Sequence, residues 1–199
     1  MQLRSENVLS FSQSVHLEWI NGSAIDPELF TSTVEILPDE VISNDHDISY
    51  PIHEALNWNP TKWRTAWQSG RQQRPELFGA LIYTWNPLLE KPEVFQVKLN
   101  NPLIDSKKGK PRKYENPVNR GQVGGFALVT NSVWQKVADR YAIDLDCSAL
   151  PTSINFWSWV SEHPQIPIFI CEGMKKACCL LSQGYVAIAL SGITMGRVT

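Results

Sequence analysis

Ile166 to Ile193 reads IPIFICEGMKKACCLLSQGYVAIALSGI. Its first apolar run is short and continuous, as expected for a strand covered on both faces. MKKACCLLSQ is a good helix former, and Gly184 stands where a C-terminal cap belongs. YVAIAL is a second continuous apolar run. Strand, helix and strand in this order predict a βαβ unit, with a parallel pair and a right-handed crossover.

In a parallel α/β sheet, ligands bind at the carboxyl ends of the strands. Glu172 ends the first strand, and Gly173 allows a sharp turn or a close ligand approach. Ser191 and Gly192 end the second strand. A carboxylate beside small, permissive turns suits an acid/base or metal-associated group next to a phosphate. The competing reading is that Glu172 only favours the start of the following helix, as any acid there does. Lys175 and Lys176 fall in the first helical turn, where cations are mildly unfavourable, and so point to a nearby anion or are ordinary exposed lysines.

Upstream, NNPLIDSKKGKPRKYENPVNRGQVGG is too polar for core. Residues 98–120 hold seven bases (Lys98, Lys107, Lys108, Lys110, Arg112, Lys113, Arg120) against Asp105 and Glu115. Such a cluster attracts phosphate backbones, and Tyr114 within it offers a stacking face. A solvated charged loop would look the same. Pro102, Pro111 and Pro117 keep the segment extended. A second basic stretch, residues 57–77, interleaves Trp58, Trp63 and Trp67 with Lys62, Arg64, Arg71 and Arg74. Those Trp residues read either as core or as base-stacking platforms.

Between the two basic stretches, apolar and aromatic runs flank Asn86-Pro87 and Lys91-Pro92, predicting two strands joined by a turn. SVWQKVADRYAI predicts a helix with Val133, Trp134, Val137 and Tyr141 near one face. SINFWSWVSEHP predicts another, stopped by Pro164. SAIDPELFTSTVEIL predicts a short helix capped by Ser23 or Asp26, with Pro27 in its first turn. Residues 1–22 read as weakly structured, and PDEVISNDHDISYP as an acidic loop.

The 199 residues are 43% hydrophobic and 19% charged, enough for a buried core. A net charge of −2 excludes a uniformly basic protein but hides an asymmetry. Residues 1–50 hold nine acids and one base, whereas residues 51–150 hold nine acids and fourteen bases. Cys147, Cys171, Cys178 and Cys179 show no zinc spacing and read as small buried hydrophobes in a reducing, cytoplasmic setting. The four His (16, 46, 53, 163) are scattered and read as structural or surface residues. No secretory leader or membrane span is expected.

At Glu172, Gly173, Lys175, Lys176, Ala177, Gly184, Tyr185, Ala187, Ile188, Leu190 and Gly192 the sequence resembles the opening half of a Toprim domain. That fold is shared by bacterial-type primases, topoisomerases and related nucleases. The resemblance is to the DUF3854 type found in cyanobacterial and plasmid-borne replication proteins. GKPRKYENP (109–117) and FWSWV (156–160) are similar to segments of the same family. The resemblance implies that Glu172 is the acid/base residue and that a D-x-D pair after a third strand binds Mg²⁺; the placement of Gly173, Lys175, Lys176 and Gly192 at the strand ends makes them the expected phosphate-proximal residues. No D-x-D follows Glu172 here, and DLD at 144–146 precedes it and reads as a solvated loop. Mg²⁺ is therefore expected only with a further C-terminal half, because a lone Glu cannot fix it.

The expected architecture has three parts. Residues 1–50 form an acidic, partly flexible N-terminal segment. Residues 51–150 form a basic, aromatic α+β front region of primase type with a short antiparallel hairpin. Residues 151–199 form a partial Toprim-like α/β (βαβ) unit with parallel strands. The expected function is single-stranded DNA binding through Lys107, Lys108, Lys110, Arg112, Lys113, Tyr114 and Arg120 in a replication protein. The sequence does not decide between polymerase and nuclease chemistry, and a complete nuclease using other carboxylates is the weaker third reading. The alternative is a non-catalytic module docking on a helicase or other replication partner through the apolar edge of YVAIAL.

Overall fold

The computed structural model describes residues 6–59, 76–105, 107–119, 124–145 and 152–192. Trp63, Trp67, the bases from Lys62 to Arg74, Arg120 and Cys147 lie outside the described residues, as does Asp146 of the DLD stretch.

The architecture is mixed α+β, with an antiparallel front sheet and a parallel strand pair near the C-terminus. Helix α1 spans Glu6–His16 and runs into a π-helical turn, Leu17–Asn21. Val8, Val15 and Trp19 are buried at helical spacing, so this polar-looking segment does carry an apolar stripe. The Ser and Gln between those positions mask the stripe in the sequence, which is why residues 1–22 read as weakly structured. Helix α2, Pro27–Thr33, starts on Asp26, whose carboxylate accepts from the backbone N–H groups of Glu28 and Leu29. The helix ends sooner than SAIDPELFTSTVEIL suggests, because Val34–Pro38 is strand β1.

The expected hairpin is strands β4 (Phe78–Asn86) and β5 (Lys91–Leu99), joined by a four-residue turn in which Asn86 Oδ1 accepts from the N–H groups of Leu88 and Leu89. The sheet order is β1-β4-β5, all antiparallel, with Val34 opposite Ile82 and Gly79 opposite Leu99. Side chains alternate along the central strand. Ala80 and Ile82 join the main core, while Leu81 packs with Val97, Leu99 and helix α3 (Pro51–Leu56) on the other face. The acidic loop holds a small ladder, β2 (Val41–Ile42) against β3 (Ile48–Ser49).

The main core draws on residues from Val15 to Ala189. Helix α4, Asn131–Arg140, contributes Val133, Trp134 and Val137, as its spacing predicts. Helix α5, Thr152–Glu162, contributes Phe156, Trp157 and Val160.

The C-terminal unit consists of β6 (Phe169–Cys171), α6 (Met174–Ser182) and β7 (Ala187–Ala189), with the strands parallel and Phe169 opposite Ala187. Gly184 adopts φ +80° after the helix, and a Cβ there would lie 2.7 Å from the Lys136 carbonyl oxygen. Glycine is required on both counts.

The strand order differs from the reading of the apolar runs. β7 is the inner strand: Gly125 and Ala189 exchange two backbone hydrogen bonds, of 2.7 and 2.8 Å, on the side away from β6. β6 pairs with β7 alone among the described residues, and Ile168, Phe169 and Ile170 are 50%, 43% and 68% exposed. The first run is therefore not covered on both faces. The edge expected at YVAIAL belongs instead to IPIFIC. Small Ala187 and Ala189 allow β7 to sit against Gly125 and Met174, where the bulkier β6 residues would not fit.

Candidate functional site

The carboxyl ends of β6 and β7 open onto a hollow of about 290 Å³. Glu172, Gly173, Met174, Lys175 and Lys176 line it from the start of α6, and Ser191 and Gly192 from the end of β7. Ile82 and Gln96 of the front sheet form its other wall, with Lys113 and Tyr114 of the basic segment. Lys113, Lys175 and Lys176 give this lining positive groups suited to an anion.

Gly192 has φ +144°, a conformation that L side chains rarely adopt. Gly173 is different. Its φ of −172° is ordinary extended backbone, and a Cβ would meet nothing within 4 Å. Its lack of a side chain thus keeps space open and is not needed for the turn. Gly173 is the N-cap of α6 and makes no side-chain cap bond. The positive end of the nine-residue helix faces the hollow, which favours a negative group there.

Glu172 does not cap that helix. It lies one residue before the cap, is half exposed, and accepts from Lys176 Nζ at 2.6 Å. That hydrogen bond, with the Lys176 charge and then the Lys113 charge, lowers its pKa. Glu172 is therefore ionised at neutral pH and suits a general base or a cation contact better than a general acid.

Tyr114 and Lys113 reach the hollow because the next residue is pinned. Glu115 and Val97 exchange two backbone hydrogen bonds, of 2.8 and 2.9 Å, which lays the segment along β5. Burial, with the Glu18 charge second, pushes the Tyr114 hydroxyl up to about 12, so it remains a proton donor. Lys113 lies 5.7 Å from the centre of the Tyr114 ring.

The basic segment is split by the fold. Arg112 does not join Lys113 at the hollow: it donates to Glu115 Oε2 at 3.1 Å and lines a second hollow with Trp58, Leu103 and Tyr114. Lys107, Lys108 and Lys110 are exposed on a turn closed by Asp105, whose carboxylate accepts from the Lys107 and Lys108 N–H groups. Those backbone bonds lower the Asp105 pKa. The hollow thus gathers Lys113, Tyr114, Glu172, Gly173, Lys175, Lys176 and Gly192, but not Lys107, Lys108, Lys110 or Arg112.

Residues 156–199 match a family model described as Domain of unknown function (DUF3854). An uncharacterized protein of Picosynechococcus sp. is 32% identical over 197 residues, covering 98% of this chain and 19% of that protein. The chain thus spans about a fifth of the length of this curated relative. No solved structure matches.

The matched segment supplies Glu172, Gly173, Met174, Lys175, Lys176, Ser191 and Gly192, seven of the eleven residues lining the hollow. The other four, Ile82, Gln96, Lys113 and Tyr114, lie outside it. One neighbour escaped the sequence reading altogether. Glu18, in the π-helical turn, accepts from Lys175 Nζ at 2.7 Å and from Lys98 Nζ, and lies 4.0 Å from Lys113 Nζ. Nothing local marks it, since these partners lie at least 80 residues away.

Cys171 and Cys178 are not activated as nucleophiles. Burial raises the Cys171 pKa and drives that of Cys178 well above the ordinary thiol range. Among the described residues no three His, Cys, Asp or Glu side chains are placed to hold a metal ion, and no helix is long and apolar enough to cross a membrane.

Proposed function

We propose that this chain is part of a primase-type, Toprim-like DNA-replication protein that binds single-stranded DNA in the hollow beyond β6 and β7. What carries the reading is the meeting, in one place, of two separate parts of the sequence. The Glu172-Gly173 strand end and the Lys113-Tyr114 pair lie far apart in the chain yet line the same hollow. Lysines and a helix N-terminus suit phosphate oxygens, and the half-buried Tyr114 hydroxyl suits hydrogen bonding beside them. The matched DUF3854 segment and the cyanobacterial relative are consistent with this family of proteins.

Glu172, ionised and at the rim, would act as the base, or would orient a nucleophile. The donor set does not fit Mg²⁺ among the described residues, because Glu172 is the single carboxylate lining the hollow and Lys176 engages it. A Mg²⁺ site would need further carboxylates from elsewhere in a longer protein. The test is fluorescence anisotropy with a single-stranded oligonucleotide across a salt series. Lys113→Ala with Lys175→Ala should weaken binding and flatten the salt dependence. Unchanged affinity and slope would overturn the reading.

One observation favours a second reading. The exposed Ile168, Phe169 and Ile170 on the outer strand suit docking by β-augmentation onto a helicase or other replication partner. This predicts self-association or partner capture by the isolated chain. A monodisperse monomer that ignores replication partners would count against it.

A further inference from the structure

Three lysines from three different elements converge on Glu18: Lys98 from β5, Lys113 from the basic segment and Lys175 from α6. Two of them, Lys113 and Lys175, also line the hollow. Lys98 shares a face of β5 with Gln96, two residues away, which lines it too. The Glu18 carboxylate is only 26% exposed.

A structural ion pair needs one cation per carboxylate. Here one carboxylate serves two lysines by hydrogen bonds, with a third ammonium at 4.0 Å, so the cluster carries surplus positive charge. A phosphate group offers more oxygens and more charge than a carboxylate, and would satisfy the three ammoniums better. Glu18 also sits on a π-helical turn, a geometry that recurs at functional sites. Burial acts to raise its pKa, but the hydrogen bonds from Lys175 and Lys98 override this and hold it at about 2.

We propose that Glu18 is a built-in counter-anion, occupying a phosphate subsite formed by Lys98, Lys113 and Lys175 until a phosphate of the bound strand displaces it. The inference rests on the nucleic-acid reading of the hollow and adds to it a phosphate subsite and a gate. Releasing Glu18 would loosen the Leu17–Asn21 turn from α6, so binding and N-terminal opening are coupled. The gate discriminates by charge, since only a ligand with a well-placed phosphate can replace the carboxylate.

The experiment compares wild type, Glu18→Gln and Lys98→Met in anisotropy titrations with a single-stranded oligonucleotide, with and without a 5′-phosphate. Glu18→Gln frees the lysines and should bind about tenfold more tightly, with a salt slope steeper by roughly 0.7 for each further phosphate neutralised. Lys98→Met breaks the same ion pair from the other side and should bind more weakly. Changes in the same direction for both variants, or an unchanged Glu18→Gln, would show a structural staple and overturn the gate. A preference for the 5′-phosphate would identify a strand end as the source, and equal binding the internal backbone.

If wild type and Glu18→Gln both fail to bind, the nucleic-acid reading falls with the gate. If wild type binds and Glu18→Gln matches it, the gate alone falls. Hydrogen exchange on the wild type gives an answer independent of how the variants fold. Added oligonucleotide should speed exchange within Leu17–Asn21, and slowed exchange there would overturn the displacement.

Discussion

The chain keeps its lysines in two settings. Lys107, Lys108 and Lys110 ride an exposed turn held by backbone bonds to Asp105. Lys113, Lys175 and Lys176 line a hollow and Lys98 lies beside it on β5, and two carboxylates engage the four. By sequence the first group is the denser. By structure only the second is organised. A run of charge shows that a segment is solvated, whereas convergence of like charges from distant segments requires a counter-charge, and the counter-charge marks where a ligand would compete.

The sharpest way to break this comparison is to neutralise each group in turn. Lys113→Ala with Lys175→Ala should weaken single-stranded DNA binding by roughly 30-fold, in line with about 1 kcal/mol for each solvent-screened lysine lost. Lys107, Lys108 and Lys110, changed together to Ala, should weaken it no more than about threefold. Equal losses in anisotropy titrations would mean that density, not convergence, governs binding.

The next effect concerns stability. The Glu18 pKa falls from an ordinary 4.5 to about 2 on folding. A depressed carboxylate stabilises the fold fully above its unfolded pKa, and that stability is lost as pH falls through the folded value. Wild type should therefore lose about 1–2 kcal/mol between pH 4.5 and 2, beyond the loss seen in Glu18→Gln. Parallel acid-denaturation curves for the two proteins would remove Glu18 from the account.

Glu172 offers a smaller contrast, because its pair with Lys176 is much more exposed than the Glu18 cluster. Glu172→Gln should tighten DNA binding by no more than about threefold, since exposed ion pairs are weak. An increase as large as that of Glu18→Gln would make the rim and the inner cluster equivalent. The smallest effect belongs to the turn. Asp105→Ala should lower the melting temperature by no more than about 2–4 °C and leave DNA affinity unchanged. A matching drop in affinity would tie the exposed lysines to the site after all.

Much of this was legible before the structure. The βαβ unit followed from two apolar runs around a glycine-ended helix, and the hairpin from Asn86-Pro87. The hollow's Glu172, Lys113, Tyr114 and Gly192 were each visible as separate candidates. Their assembly was not, because it depends on Glu115 pairing with Val97 and Gly125 with Ala189. Glu18 was illegible for the same reason: its lysines are distant in sequence and near only in the fold. The order of β6 and β7 could not be read either. Both runs are equally apolar, and the strand that became inner is the one with side chains small enough for Gly125 to approach.

That approach at Gly125 has a consequence for dissecting the protein. A Cβ there would lie 2.9 Å from Ala189 Cβ, 2.9 Å from Met174 Cε and 3.0 Å from Phe95 Cζ. One glycine thus joins the front sheet, the helix and the inner strand where no other residue fits. The matched DUF3854 segment begins at residue 156, but similarity to the cyanobacterial relative runs over 197 residues, and 156 is not a boundary of folding. A fragment cut at 156 would leave the inner strand with a bare edge and its helix with an uncovered apolar face. It should collapse or aggregate, so experiments on this site need the residues on both sides of that line.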